Sequence, residues 1–141
     1  MIARALQQAF LIAALALLPA LVCGSIRVRF NSAKPPEPLA LGEVRAATAR
    51  EWGDQVQWVD ARPKARFDAG HIPGAILLNL EQWPDLIGSF LDAWEPDKTV
   101  VVYCDGGDCD ASRAVADRLR DDYQVKAIYV LKGGWPAWQA K

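Results

Sequence analysis

The chain has 141 residues, enough for one domain and too few for two ordinary ones, with 16 Lys+Arg against 17 Asp+Glu and a formal net charge of −1. The charge is uneven: residues 1–30 hold three bases and no acid, whereas residues 31–141 hold 17 acids against 13 bases. A weakly acidic globular part excludes a nucleic-acid-binding footprint, the apolar content of 52 % excludes disorder, and three cysteines exclude a disulfide scaffold.

From Ala5 to Ile26 no residue is charged. A helix of that length spans about 33 Å, the thickness of a bilayer core. Residues 1–30 are therefore expected to form a transmembrane signal-anchor that places residues 5–26 in the lipid bilayer. A secretory signal, cleaved to leave a secreted or periplasmic domain, is the alternative. Arg4 and the amino-terminal amine face Arg27, Arg29 and Lys34 across this segment, so the positive-inside rule puts the soluble part in the cytoplasm by a single charge. Val22 is too large for lipoprotein processing at Cys23. Residues 31–40 hold Pro35, Pro36 and Pro38 and read as an extended linker. The domain proper is then 41–141.

Within it, Leu39 to Trp52 has helical spacing through Leu41, Val44 and Ala47. Val56–Val59 reads as a strand ending at Asp60, and Pro63–Ala69 as a short helix. Ala75–Leu78 is a second strand and Pro84–Trp94 a helix closed by Pro96-Asp97. Thr99–Tyr103 is apolar on both faces, which predicts a central parallel strand. Ser112–Arg120 is an amphipathic helix, Val125–Leu131 a strand, and Gly133-Gly134 turns the chain into a short Trp135–Trp138 segment. Strands alternating with helices argue an α/β domain with a mainly parallel sheet.

The chemistry concentrates after the central strand, in Cys104-Asp105-Gly106-Gly107-Asp108-Cys109-Asp110-Ala111. A buried strand delivers Cys104 to its carboxyl end, where parallel sheets place their ligand sites. The glycines let backbone N–H groups curl toward one point, and the helix start adds positive dipole. Such a loop stabilises a thiolate or persulfide on a nucleophilic cysteine.

Four segments together resemble the rhodanese-like (sulfurtransferase) family: Val59-Asp60-Ala61-Arg62; Phe67-Asp68-Ala69-Gly70-His71-Ile72-Pro73-Gly74-Ala75; the Cys104 loop; and Leu131-Lys132-Gly133-Gly134-Trp135-Pro136-Ala137-Trp138. The resemblance covers about residues 40–140. It implies a small, mainly parallel five-stranded sheet flanked by helices. It also implies a sulfurtransferase in which Cys104 takes sulfane sulfur as a persulfide from a small donor or protein persulfide and passes it to a thiol acceptor. No metal and no organic cofactor is implied. His71 and Asp60 are read as structural residues near the site, and Arg62, Arg113 and Lys132 as candidates for substrate binding.

Two departures qualify the resemblance. Rhodanese loops commonly carry a basic residue directly after the cysteine, where this chain has Asp105. With Asp108 and Asp110, it is expected to repel thiosulfate, a dianion. Cys109, five residues after Cys104, is a candidate resolving thiol able to expel the sulfur and leave a disulfide, or else a spare loop cysteine. A related cysteine-loop phosphatase needs arginine six positions after the cysteine, where Asp110 stands. A non-catalytic docking module and a Cys104/Cys109 dithiol redox protein are the alternative functions.

Overall fold

The computed structural model describes residue 40 and residues 42–140, Cys109 excepted. The predicted membrane segment, most of the linker, and the resolving-thiol assignment for Cys109 fall outside these residues. Among the described residues no helix is long and apolar enough to cross a membrane.

Five strands build one sheet: β1 (Glu43–Val44), β2 (Val56–Asp60), β3 (Ile76–Leu77), β4 (Thr99–Tyr103) and β5 (Ile128–Leu131), in the order β1-β5-β4-β2-β3. All four pairings are parallel. Thr99–Tyr103 is the middle strand, as its two-sided apolarity predicts. Its alternation divides the core. Val100 and Val102 pack with Val59, Phe90, Val115 and Leu119 on one face. Val101 and Tyr103 pack with Trp58, Ile72 and Leu131 on the other.

The helices are α1 (Ala46–Glu51), α2 (Lys64–Ala69), α3 (Trp83–Ala93), α4 (Asp110–Tyr123) and α5 (Gly134–Gln139), with a 3₁₀ turn at Gly53–Gln55. Phe90 of α3 and Val115 and Leu119 of α4 cover the first face. Ala46 and Ala49 of α1, with Trp135 and Trp138 of α5, cover the second. Parallel strands buried on both sides follow from this layering.

Two sequence expectations are corrected. The helix predicted over Leu39–Trp52 starts only at Ala46, because Glu43 and Val44 add an edge strand that pairs with Val130 and Leu131. Val44 satisfies helical spacing and strand burial equally, and two residues are too few for a period-2 signal. The strand predicted over Val125–Leu131 shortens to Ile128–Leu131. Gln124 takes a positive φ of 58° and the Val125 N–H bonds the Leu119 carbonyl at 3.2 Å, so this backbone closes α4 instead of extending β5.

Strand β1 also carries a buried carboxylate. Glu43 accepts from the Ala40 N–H at 2.9 Å, from Arg113 Nη2 at 2.7 Å, and pairs with Lys132 Nζ at 3.3 Å. The Ala40 N–H chiefly, then Arg113 and Lys132, hold its carboxyl below the ordinary 4.5, against burial, which raises it. Ionisation of Glu43 therefore stabilises the fold above its unfolded-state pKa, and that stabilisation is lost as pH falls through the lower folded-state value. Urea unfolding of Glu43→Gln should show a lower midpoint than wild type at pH 7, with the difference closing toward pH 3.

Candidate active site

Strands β2 and β4 end side by side, Asp60 opposite Tyr103 in register. The residues just beyond them, Ala61 to Pro63 on one chain segment and Cys104 to Gly106 on the other, face each other across a cavity of about 210 Å³ closed by Asp110 and Ala111 at the start of α4. This is the crevice beyond the carboxyl ends of parallel strands where ligand sites form. The Ala61 N–H bonds the Tyr103 carbonyl at 2.8 Å and ties the two strand ends together.

The cysteine loop is fixed from behind by α5. The Trp135 N–H donates to the Cys104 carbonyl at 2.7 Å. Gly134, at φ +55°, comes so close that a Cβ there would stand 2.3 Å from the Cys104 carbonyl oxygen and 2.7 Å from the Gly106 nitrogen. Gly106 itself, at φ +108°, abuts the Gly133 carbonyl. Only glycine permits both the backbone conformations and the approach. On the cavity side the Gly106 N–H points to Cys104 Sγ at 3.5 Å. Cys104 is almost fully buried and disulfide-bonded. The chain's other cysteines, Cys23 and Cys109, both lie outside the described residues.

Asp60 and Arg62 are buried as a pair. Arg62 Nε donates to Asp60 Oδ1 and Oδ2 at 2.9 and 3.1 Å, and Nη2 donates to Asp60 Oδ2 at 2.6 Å and to the Gly70 carbonyl at 2.7 Å. The Arg62 guanidinium is also 4.8 Å from the Trp135 ring centroid and 5.4 Å from that of Tyr103. Buried opposite charges offset their desolvation only when hydrogen bonds are satisfied in this way. The bond to Asp60 pushes the Arg62 pKa up. Burial pushes Tyr103 well above its ordinary 10, so its hydroxyl stays neutral, and it accepts from the Ile72 N–H at 3.1 Å.

The other residues singled out in the sequence distribute as follows. Asp105 is half-exposed at the cavity rim, with Oδ1 3.7 Å from Arg62 Nη1 and Oδ2 3.9 Å from Arg66 Nε. Asp110 lines the cavity. Asp108 and Gly107 are exposed on the outer turn. His71 is exposed, stacked on Phe67 with ring centroids 3.8 Å apart, and its Nδ1 donates to the Phe67 carbonyl at 2.9 Å. Arg113 and Lys132, expected as substrate ligands, do not line the cavity: both are drawn to Glu43. Of the loop carboxylates expected to repel thiosulfate, Asp105 faces two guanidinium groups and Asp110 lines the cavity. Among the described residues no cluster of three or more His, Cys, Asp or Glu side chains is placed to hold a metal ion.

Sequence reasoning missed three contributors. Arg66 carries no motif that singles it out among the residues of its short helix. Tyr103 looked like the last apolar residue of a strand. Gly134 looked like a turn glycine, although a Gly-Gly pair directly before a helix is a signal for close backbone approach. Gly134→Ala should destabilise the fold by about 2–4 kcal/mol through overpacking and backbone strain, read as a lowered urea midpoint. A loss under about 0.5 kcal/mol would refute the close approach.

The model of the rhodanese-like domain matches residues 43–141. An HTH-type transcriptional regulator of Mycobacterium tuberculosis is 37 % identical over 76 residues, 51 % of this chain and 31 % of the regulator. The adenylyltransferase and sulfurtransferase UBA4 of Eremothecium gossypii is 24 % identical over 122 residues, 82 % of this chain and 27 % of UBA4. The chain thus spans less than a third of the length of either curated relative. Among solved structures, SseA of Escherichia coli, a 3-mercaptopyruvate sulfotransferase, superposes with a TM-score of 0.60 at 24 % identity, covering 71 % of this chain and 48 % of SseA. The Alr3790 protein of Anabaena superposes with a TM-score of 0.57 at 26 % identity, covering 69 % of this chain and 74 % of that one.

Proposed function

Because the chain belongs to the rhodanese-like domain family, we propose that it is a sulfurtransferase carrying sulfane sulfur as a persulfide on Cys104. The observation that carries this reading is Cys104 itself. It sits at the carboxyl end of the central strand beside a cavity, on a loop whose Gly106 N–H points at Sγ. Backbone N–H groups and the start of α4 favour negative charge at that point. With Cys104 reduced, its thiolate attacks the outer sulfur of a donor, a new S–S bond forms, and the donor's remainder leaves with the bonding electron pair. An acceptor thiolate then attacks the outer sulfur of the persulfide and regenerates the Cys104 thiolate.

Cys109 completes the proposal as a resolving thiol. Its thiolate attacks Cys104 Sγ, expels the outer sulfur as hydrosulfide, and leaves a Cys104–Cys109 disulfide that an external dithiol reductant must reopen. The five-residue spacing from Cys104 to Cys109 supports this step, and equally a dithiol redox role. The uncharged run from Ala5 to Ile26 supports a single-pass anchor holding the domain at a membrane.

Intact-mass spectrometry of the reduced full chain after incubation with a persulfide donor should show a gain of one sulfur, about 32 Da, that Cys104→Ser abolishes. Loss of about 2 Da requiring both Cys104 and Cys109, with no sulfur gained, would favour redox chemistry instead. No change with any donor would leave a docking module.

A further inference from the structure

Arg62 has five N–H donors, and those on Nε and Nη2 are spent on Asp60 and Gly70. Nη1 is left facing the carboxylate of Asp105 at 3.7 Å, while the second oxygen of that carboxylate faces Arg66 Nε at 3.9 Å. Arg62 is 3 % exposed and borders the cavity beside Cys104, and Arg66 stands in solvent. Two guanidinium groups thus converge on one point at the mouth of the cavity, and the chain's own carboxylate fills it.

We propose that Asp105 is a specificity-determining residue: it occupies the anion position between Arg62 and Arg66 and so excludes small dianionic sulfur donors, leaving the site to persulfides without an anionic group next to the transferred sulfur. This deepens the sulfurtransferase reading and rests on it for the word donor, but the anion position stands on geometry alone. The charges at the mouth are Asp60 and Arg62, which offset each other, Arg66 and Asp105, which do the same, and Asp110, which lines the cavity. A dianion entering this arrangement meets a net negative rim and must displace a tethered carboxylate. Removing the Asp105 charge converts the same two arginines into a receptor for it. With thiosulfate the blocked step is attack of the Cys104 thiolate on the sulfane sulfur, in which the new S–S bond forms as the bond to the sulfonate breaks and sulfite leaves with the electron pair.

Calorimetric titration of the reduced full chain with sulfate, an unreactive dianion, tests the anion position without turnover. Asp105→Asn should bind sulfate about tenfold more tightly than wild type, and adding the exposed-site change Arg66→Gln should remove most of that gain. Unchanged binding in Asp105→Asn, or a gain that survives Arg66→Gln, would overturn the proposal. In parallel, the rate of sulfur loading on Cys104 from thiosulfate relative to 2-hydroxyethyl persulfide should rise about tenfold in Asp105→Asn, and an unchanged ratio would equally overturn it. Failure of both donors to load either protein would sink the sulfurtransferase reading, while the sulfate titration would still decide whether Asp105 guards an anion position.

Discussion

The site depends on one backbone contact: the turn at Gly133-Gly134 pressed against the loop that carries Cys104. A parallel strand ends by releasing its carbonyls, and the first carbonyl beyond β4 belongs to Cys104. Trp135 captures it at 2.7 Å, and the absence of a side chain at Gly134 lets the two backbones meet. In the loop held by that contact, the Gly106 N–H points to Cys104 Sγ. Without the contact the loop glycines would give the cysteine many conformations and no fixed surroundings.

The same segment links backbone geometry to electrostatics. Trp135 donates to the Cys104 carbonyl and lies 4.8 Å from the Arg62 guanidinium. Arg62 in turn holds Asp60 and the Gly70 carbonyl. The four sequence segments that resemble the rhodanese-like family are therefore four sides of one construction. The end of β2 supplies the ion pair, the Gly70 region accepts from it, the end of β4 supplies the cysteine, and the start of α5 braces both. Asp60 and Arg62 are paired within this construction, so the charges left facing the cavity mouth are the loosely paired Asp105 and the cavity-lining Asp110.

The sheet was legible where burial wrote an unambiguous pattern. Thr99–Tyr103 has no polar face and could be placed in the middle. The position of Cys104 at its end followed directly. Where one pattern fits two structures, reading failed: Val44 suits a helix stripe or an edge strand, and Val125 is core without being strand. Charged side chains were legible as charges, but pairs between residues distant in the chain were not. Arg113 and Lys132 were expected at the cavity because nothing in the sequence announces that Glu43, seventy residues from Arg113, is a buried carboxylate needing both. Arg62 could be tied to Asp60 by their spacing, whereas the bridge from Asp105 to Arg66 exists only once β2 and β4 lie side by side.

Hydrogen exchange at the Trp135 amide in the full chain reads directly whether α5 locks the cysteine loop. This N–H should exchange only through near-global unfolding, with protection within about tenfold of the slowest amides of β4. Exchange close to the rate of an unprotected amide, with β4 still protected, would contradict it, because the Cys104 carbonyl would then be free of the contact that fixes the loop.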